Sequence, residues 1–302
     1  VENSEEKILF DEIPDPEESE WQKCKIEKDF MPIAFEVFKF LGISIGKIVY
    51  TIESTTSFKE KQKDLKFLII QAHLMKTARM MNSVLHLAGE RKFLETLMII
   101  QRVLCETIVN ARWLIHFGDE KIFNKYLDCS LSPEKELWNN IEENIKKRGG
   151  KQENIETSMK ESINRACRLA GKKVEDIPTG YNKWGPSTYK KLEDLKLSAL
   201  FNPIYSLGSH AIHTSFVDLI QFFLKEEDDF LVLKETSNYP KDAHLVSLGI
   251  MAVHFVYDYI EIAFSEKETK DSMKYYFEGY LEQLVRINKE SIEANHGSLP
   301  KM

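Results

Sequence analysis

Apolar residues recur at helical spacing along most of the chain. Residues 30–52 are apolar on most sides and predict a buried helix interrupted by glycines. Over 58–88, Leu65, Leu68, Ile69, Ala72, Met75, Arg79, Met80 and Leu87 fall at three-to-four spacing, and Gly89 supplies a stop. Residues 90–117 make the most apolar helix, closed by Gly118. Asp119 is placed to cap a short helix reaching residue 128. Ser132-Pro133 then reads as a restart, with Ser at the cap and Pro at the first helical position. That helix ends near Gly149-Gly150, and another spans 153–170 up to Gly171. Pro178, Gly180, Gly185 and Pro186 make 172–186 a loop. Helices are expected at 187–198, 203–224, 242–264 and 268–292, with a loop and one short extended piece over 226–240.

Period-two alternation is scarce, and Asn-Gly or Asp-Gly turns between apolar runs are missing. The expected fold is therefore all-α: a single helical bundle over 21–302, with a charged helical hairpin inserted at 133–171. Pro14 and Pro16 break any regular element in residues 1–20, which read as a flexible acidic arm. The aromatic residues of the last two helices serve either as core or as the face of a homodimer.

Charge sharpens this picture. The formal net charge of the 302-residue chain is −7, yet residues 1–20 alone carry −8, leaving a body of +1. Two body segments are basic, with +5 over 58–93 and +6 over 146–173. They are either solvated helix faces or surfaces for RNA or a nucleotide. Cys24, Cys105, Cys129 and Cys167 form no C-x-x-C pair, which fits free thiols in a reducing cytoplasm. No secretory signal is visible, and the uncharged run 197–217 is too polar for a lipid-facing helix, so no membrane partner is expected.

Candidate chemistry sits on two apolar helices. Arg102, Glu106 and Asn110 follow one another at single-turn spacing inside 90–117. A buried Arg and Glu have to be paired, either as a structural lock on helix register or as a functional guanidinium and carboxylate in a low-dielectric cleft. Tyr205, Ser209 and His213 form a second stripe spaced by four, with His210 beside it. Gly208 lets a neighbouring helix approach. His213 is either a hydrogen-bonded core histidine or a general acid–base with hydroxyls nearby.

The pattern Arg102-x3-Glu106-x3-Asn110, followed by Tyr205-x3-Ser209-x3-His213-x-Ser215, resembles an uncharacterised family of bacterial helical proteins. Members of this domain of unknown function pair an Arg-x3-Glu helix with a Tyr-x3-Ser-x3-His helix. The resemblance covers residues 65–220 and implies a helical fold with a polar site at these positions. A more distant analogy is to HEPN domains, which cleave RNA without metal through an Arg and a His a few residues apart. Arg79 and His86 offer that spacing, and Arg112 with His116 falls one residue short.

Two functions follow as expectations. One is a metal-independent ribonuclease, or another enzyme acting on phosphate esters, in a bacterial stress or defence system. His213 is then the general acid–base, Arg102 stabilises the developing charge, and Glu106 orients Arg102 or accepts a proton. Asn110, Tyr205, Ser209 and His210 hold the substrate. The other is a non-catalytic module that binds a ligand or partner through the same polar seam. Phosphate-loop, dinucleotide and serine-hydrolase motifs are absent, and no cofactor is expected. His254 with Asp258, or His210 and His213 with Glu106, are the residues closest to a metal set, but no Glu-x-x-His unit supports one.

Overall fold

The computed structural model describes residues 10–52, 61, 63–91, 93–180, 183–206, 208, 209, 212, 216–227, 230–234 and 238–296. The regular elements of the described residues are helices apart from one small antiparallel hairpin, so the fold is all-α. The chain divides into two compact units, Trp113–Lys191 and the remainder, Val1–Arg112 with Leu192–Met302.

In the larger unit, α1 (Glu18–Glu27), α2 (Met31–Ile52), α3 (Leu65–Gly89) and the first part of α4 (Leu94–Phe117) meet two late helices, α8 (Asp242–Ala263) and α9 (Lys267–His296). Asp29 starts α2 by accepting the Met31 N–H at 3.0 Å. Asp64 starts α3 by accepting from Lys66 and Phe67, so the continuous helix expected over 58–88 is broken at residues 63 and 64. Residues 58–60 lie outside the described residues. Helix α2 buries Val37, Phe38, Leu41, Ile45 and Ile48 against α3, α8 and α9.

Helix α8 is long and apolar enough to cross a membrane by length and composition alone. Here it is the centre of the bundle, with Leu245, Met251, Phe255, Tyr259 and Ile260 all buried. Most aromatic rings of the last two helices are therefore core: Phe255, Phe277 and Tyr280 are buried, whereas Tyr275 is exposed. Ser44 of α2 meets the hydroxyls of Tyr276 and Tyr280 at 2.9 and 3.0 Å, a polar knot among apolar neighbours.

Residues 10–17 have no regular structure yet rest on α9. Phe10 stacks on Tyr276 at 4.1 Å, and the Tyr276 hydroxyl donates to the Asp11 carbonyl. Ile13 packs so closely on Gly279 that a Cβ there would lie 2.5 Å from its Cδ1.

The smaller unit holds α5 (Glu120–Lys147), α6 (Asn154–Leu169) and the start of α7 (Thr188–Asp194). Asp119 caps α5 through the Ile122 N–H at 2.7 Å. Gly149, Gly150 and Gly171 take positive φ at the ends of α5 and α6. Helix α5 runs unbroken through Pro133, so the restart expected at Ser132 does not occur. Continuity keeps Leu127, Leu131 and Ile141 buried along one helix, and that burial outweighs the local break signal. Leu131, Ile141, Ile163, Cys167, Val174 and Ile177 form this unit's core. The following loop is pinned by Lys191, whose Nζ lies 3.4 Å over the Trp184 ring and 5.6 Å over Trp113.

The regular helix expected over 203–224 is also corrected. Its described residues include wide π-helical turns at Phe201–Ser206 and Leu219–Phe223, and helical geometry ends at Leu224. Apolar periodicity does not distinguish a widened turn from a regular one. Strands β1 (Leu224–Glu227) and β2 (Phe230–Leu233) then pair antiparallel, where one extended piece was expected.

Candidate functional site

Helix α4 is buried nearly all round, with Leu97, Leu104, Cys105, Ile108, Val109 and Ala111 inside. Arg102, Glu106 and Asn110 lie along its one half-buried stripe. Glu106 Oε1 sits 3.5 Å from Arg102 Nη2, and the Glu106 side chain keeps 34% of its surface exposed. The same Nη2 donates to the Tyr205 hydroxyl at 3.2 Å, while the guanidinium carbon stands 4.7 Å over the Tyr205 ring. Arg102 therefore stacks on Tyr205 and reaches its hydroxyl with one edge of the fork. The other two donor nitrogens, Nε and Nη1, are buried and meet no hydrogen-bond acceptor among the described residues.

Gly208 explains how Tyr205 comes so close. A Cβ at residue 208 would lie 2.7 Å from both Arg102 Cβ and the Met98 carbonyl oxygen, so only glycine allows the 204–209 segment to touch α4 there. Ser209 Oγ donates back to the Tyr205 carbonyl at 2.9 Å, which ties the hydroxyl to its own segment. The structure thus brings Arg102, Glu106, Tyr205 and Ser209 together, with Asn110 one turn further along. His210 and His213 lie outside the described residues. Beside this stripe, burial pushes the Cys105 thiol up to about 12, so it is a protonated packing group and not a nucleophile.

Other polar groups join α4 to α8. Arg112 Nε donates to Asp258 Oδ2 at 2.5 Å in a mostly buried pair. Asp258 is thereby committed to Arg112, and among the described residues no group of three His, Cys, Asp or Glu is placed to hold a metal ion. Gln101 Oε1 meets His244 Nδ1 at 3.0 Å. Burial lowers His244 to about 4, so the ring is neutral. Arg79 and His86, the pair of HEPN-like spacing, are both exposed on α3.

Residues 67–231 match DUF5677, a family of unknown function. The chain belongs to this family. No curated protein and no solved structure matches the chain.

The matched DUF5677 region runs from early α3 into β2 and takes in Arg102, Glu106, Asn110, Tyr205 and Ser209, together with His210 and His213. The last two helices lie beyond it, although α8 supplies the carboxylate for Arg112 and the imidazole for Gln101. Sequence reading misses these two pairs as pairs. Arg112 lies inside an apolar helix, and a lone arginine does not announce which distant carboxylate it meets. His254 and Asp258 do show a one-turn spacing, but the partner of Asp258 stands on another helix.

Proposed function

We propose that the protein acts on a phosphate ester, with Arg102 as the oxyanion-binding residue. The observation that carries this reading is the pair of buried, unsatisfied donors on Arg102, Nε and Nη1. A buried N–H without an acceptor costs about 1–3 kcal/mol, which a phosphate oxygen would recover through charge-assisted bonds. Tyr205 holds the guanidinium flat, and Glu106 fixes its rotation while keeping contact with solvent. His213 is assigned the general acid–base role, and Asn110, Ser209 and His210 the substrate contacts.

A small ester suits the site better than long RNA. Lys160 and Lys172 of the basic segment 146–173 pair with Glu142 and Asp128 from outside it, which leaves less charge for a polyanion. A second reading is a non-catalytic binding module, favoured by the contact of Glu106 with Arg102, which already supplies one counter-charge.

The test incubates the full chain with a chromogenic phosphodiester and with single-stranded RNA, alongside phosphate-dependent thermal shifts. Turnover that is lost in His213→Ala, and a phosphate shift that is lost in Arg102→Met, are the expected results. A phosphate shift without turnover supports the binding module. The absence of both overturns the site.

A further inference from the structure

We propose that the β1–β2 hairpin is the interface of a homodimer, formed when β2 pairs antiparallel with β2 of a second copy. The hairpin stands in the larger unit with only its own two strands paired. Lys234 N–H donates to the Phe223 carbonyl at 2.8 Å, which fixes the alternation along β2. Val232 therefore turns its backbone groups toward β1, and Leu231 and Leu233 turn theirs to the open edge. No hydrogen bond from other described residues reaches that edge.

Natural proteins blunt an open edge with charge. Strand β1 does this with Lys225, Glu226 and Glu227, all exposed. Strand β2 reads Phe230, Leu231, Val232, Leu233 and carries no charge at all. Phe230 is 74% exposed, Leu231 52% and Leu233 75%, and the preceding turns expose Phe216 and Phe223 as well. With roughly 150–250 Å² on each aromatic ring, the exposed fractions of these side chains amount to about 500–700 Å², most of the ~800 Å² that each partner gives a standard interface. That lies at the upper end of the roughly 300–600 Å² of the largest patch on a typical monomer.

A second copy fits this edge better than an unrelated strand because the edge is self-complementary. A two-fold axis through Val232 places Leu231 opposite the partner's Leu233, and the reverse. All four outward backbone groups of the two residues then find partners, and the two hairpins join into one four-stranded sheet. The contact is isologous and closes, so it ends at a dimer.

The experiment measures sedimentation of the full chain from about 1 to 100 µM. Wild type is expected at twice the mass of one chain. Leu231→Lys with Leu233→Lys should return it to a single chain, with unchanged circular dichroism because both side chains are exposed. Tyr275→Lys, at an exposed aromatic on α9, should leave the dimer intact. Register is read separately. The axis brings the two copies of residue 232 to a Cα separation of about 4.5 Å, within disulfide reach. Val232→Cys should therefore cross-link under mild oxidation, and Phe230→Cys should not. A monomeric wild type overturns the proposal, including one that binds neutral phospholipid vesicles through this patch. So does a dimer that survives the double lysine variant, or one that Val232→Cys fails to trap.

Discussion

Two kinds of titratable side chain stand out among the described residues, those met by an opposite charge and those held neutral. Arg102 and Arg112 are met by Glu106 and Asp258. His73 and His244 are both lowered from 6.5 to about 4, chiefly by burial. A histidine with a depressed folded value takes up protons more readily when unfolded. Its contribution to stability is complete above the unfolded value of 6.5 and is lost as pH falls toward 4. Each ring should cost about 1.4 kcal/mol per pH unit inside that window, up to ~3 kcal/mol in all. Urea unfolding across the window should show this loss, and His73→Phe with His244→Phe should flatten the slope even if it lowers stability at neutral pH. An unflattened slope would assign the acid sensitivity to other groups. The Arg102–Glu106 stripe is legible in the sequence because two charges at single-turn spacing inside an apolar helix have to be paired. The Gln101–His244 bond is not legible, since its partners stand 143 residues apart and neither leaves a local mark.

Among the elements, those with chemical punctuation are readable and those decided by packing are not. Asp119, Gly149, Gly150 and Gly171 mark helix ends by capping or by positive φ, and the structure uses each accordingly. Pro133 carries an equally clear local signal and is overruled by the burial of Leu127, Leu131 and Ile141 along one continuous helix. The hairpin escapes notice for the opposite reason. Its two strands are separated by residues 228 and 229, a pair of aspartates and not one of the usual glycine-bearing turns. The continuous α5 makes a quantitative expectation at this scale. A proline inside a helix removes one i→i−4 hydrogen bond and costs about 3 kcal/mol relative to alanine. Losing its rigidity in the unfolded chain takes back roughly 0.4–1 kcal/mol. Pro133→Ala should therefore raise the unfolding free energy by about 2–3 kcal/mol. Chemical denaturation of the full chain checks this, and an equal or lower stability would mean that α5 is shaped around the proline.

At the scale of the whole molecule, the acidic N-terminal segment and the bundle are joined by both packing and charge. Asp11 pairs with Lys47 at 2.8 Å, and Glu18 with Arg286 at 3.2 Å. Such exposed pairs are worth at most about 1 kcal/mol each and fade with salt. Phe10 and Ile13 are a different matter, because they cover α9 at Tyr276 and Gly279. The Tyr276 hydroxyl that donates to Asp11 also contacts Ser44 and Tyr280, so removing the segment uncovers the end of a buried hydroxyl cluster. Deleting residues 1–17 should then cost about 2–4 kcal/mol, the range for losing buried large side chains. Neutralising Glu2, Glu5 and Glu6 to Gln should leave the melting temperature nearly unchanged. Repeating both melts at high salt separates the two contributions, since screening weakens charge pairing and spares apolar contact. A deletion whose cost vanishes in salt would make the segment an electrostatic accessory. A cost that persists makes Phe10 and Ile13 part of the core, and the net charge of −6 over residues 1–17 something the bundle carries for the sake of two apolar side chains.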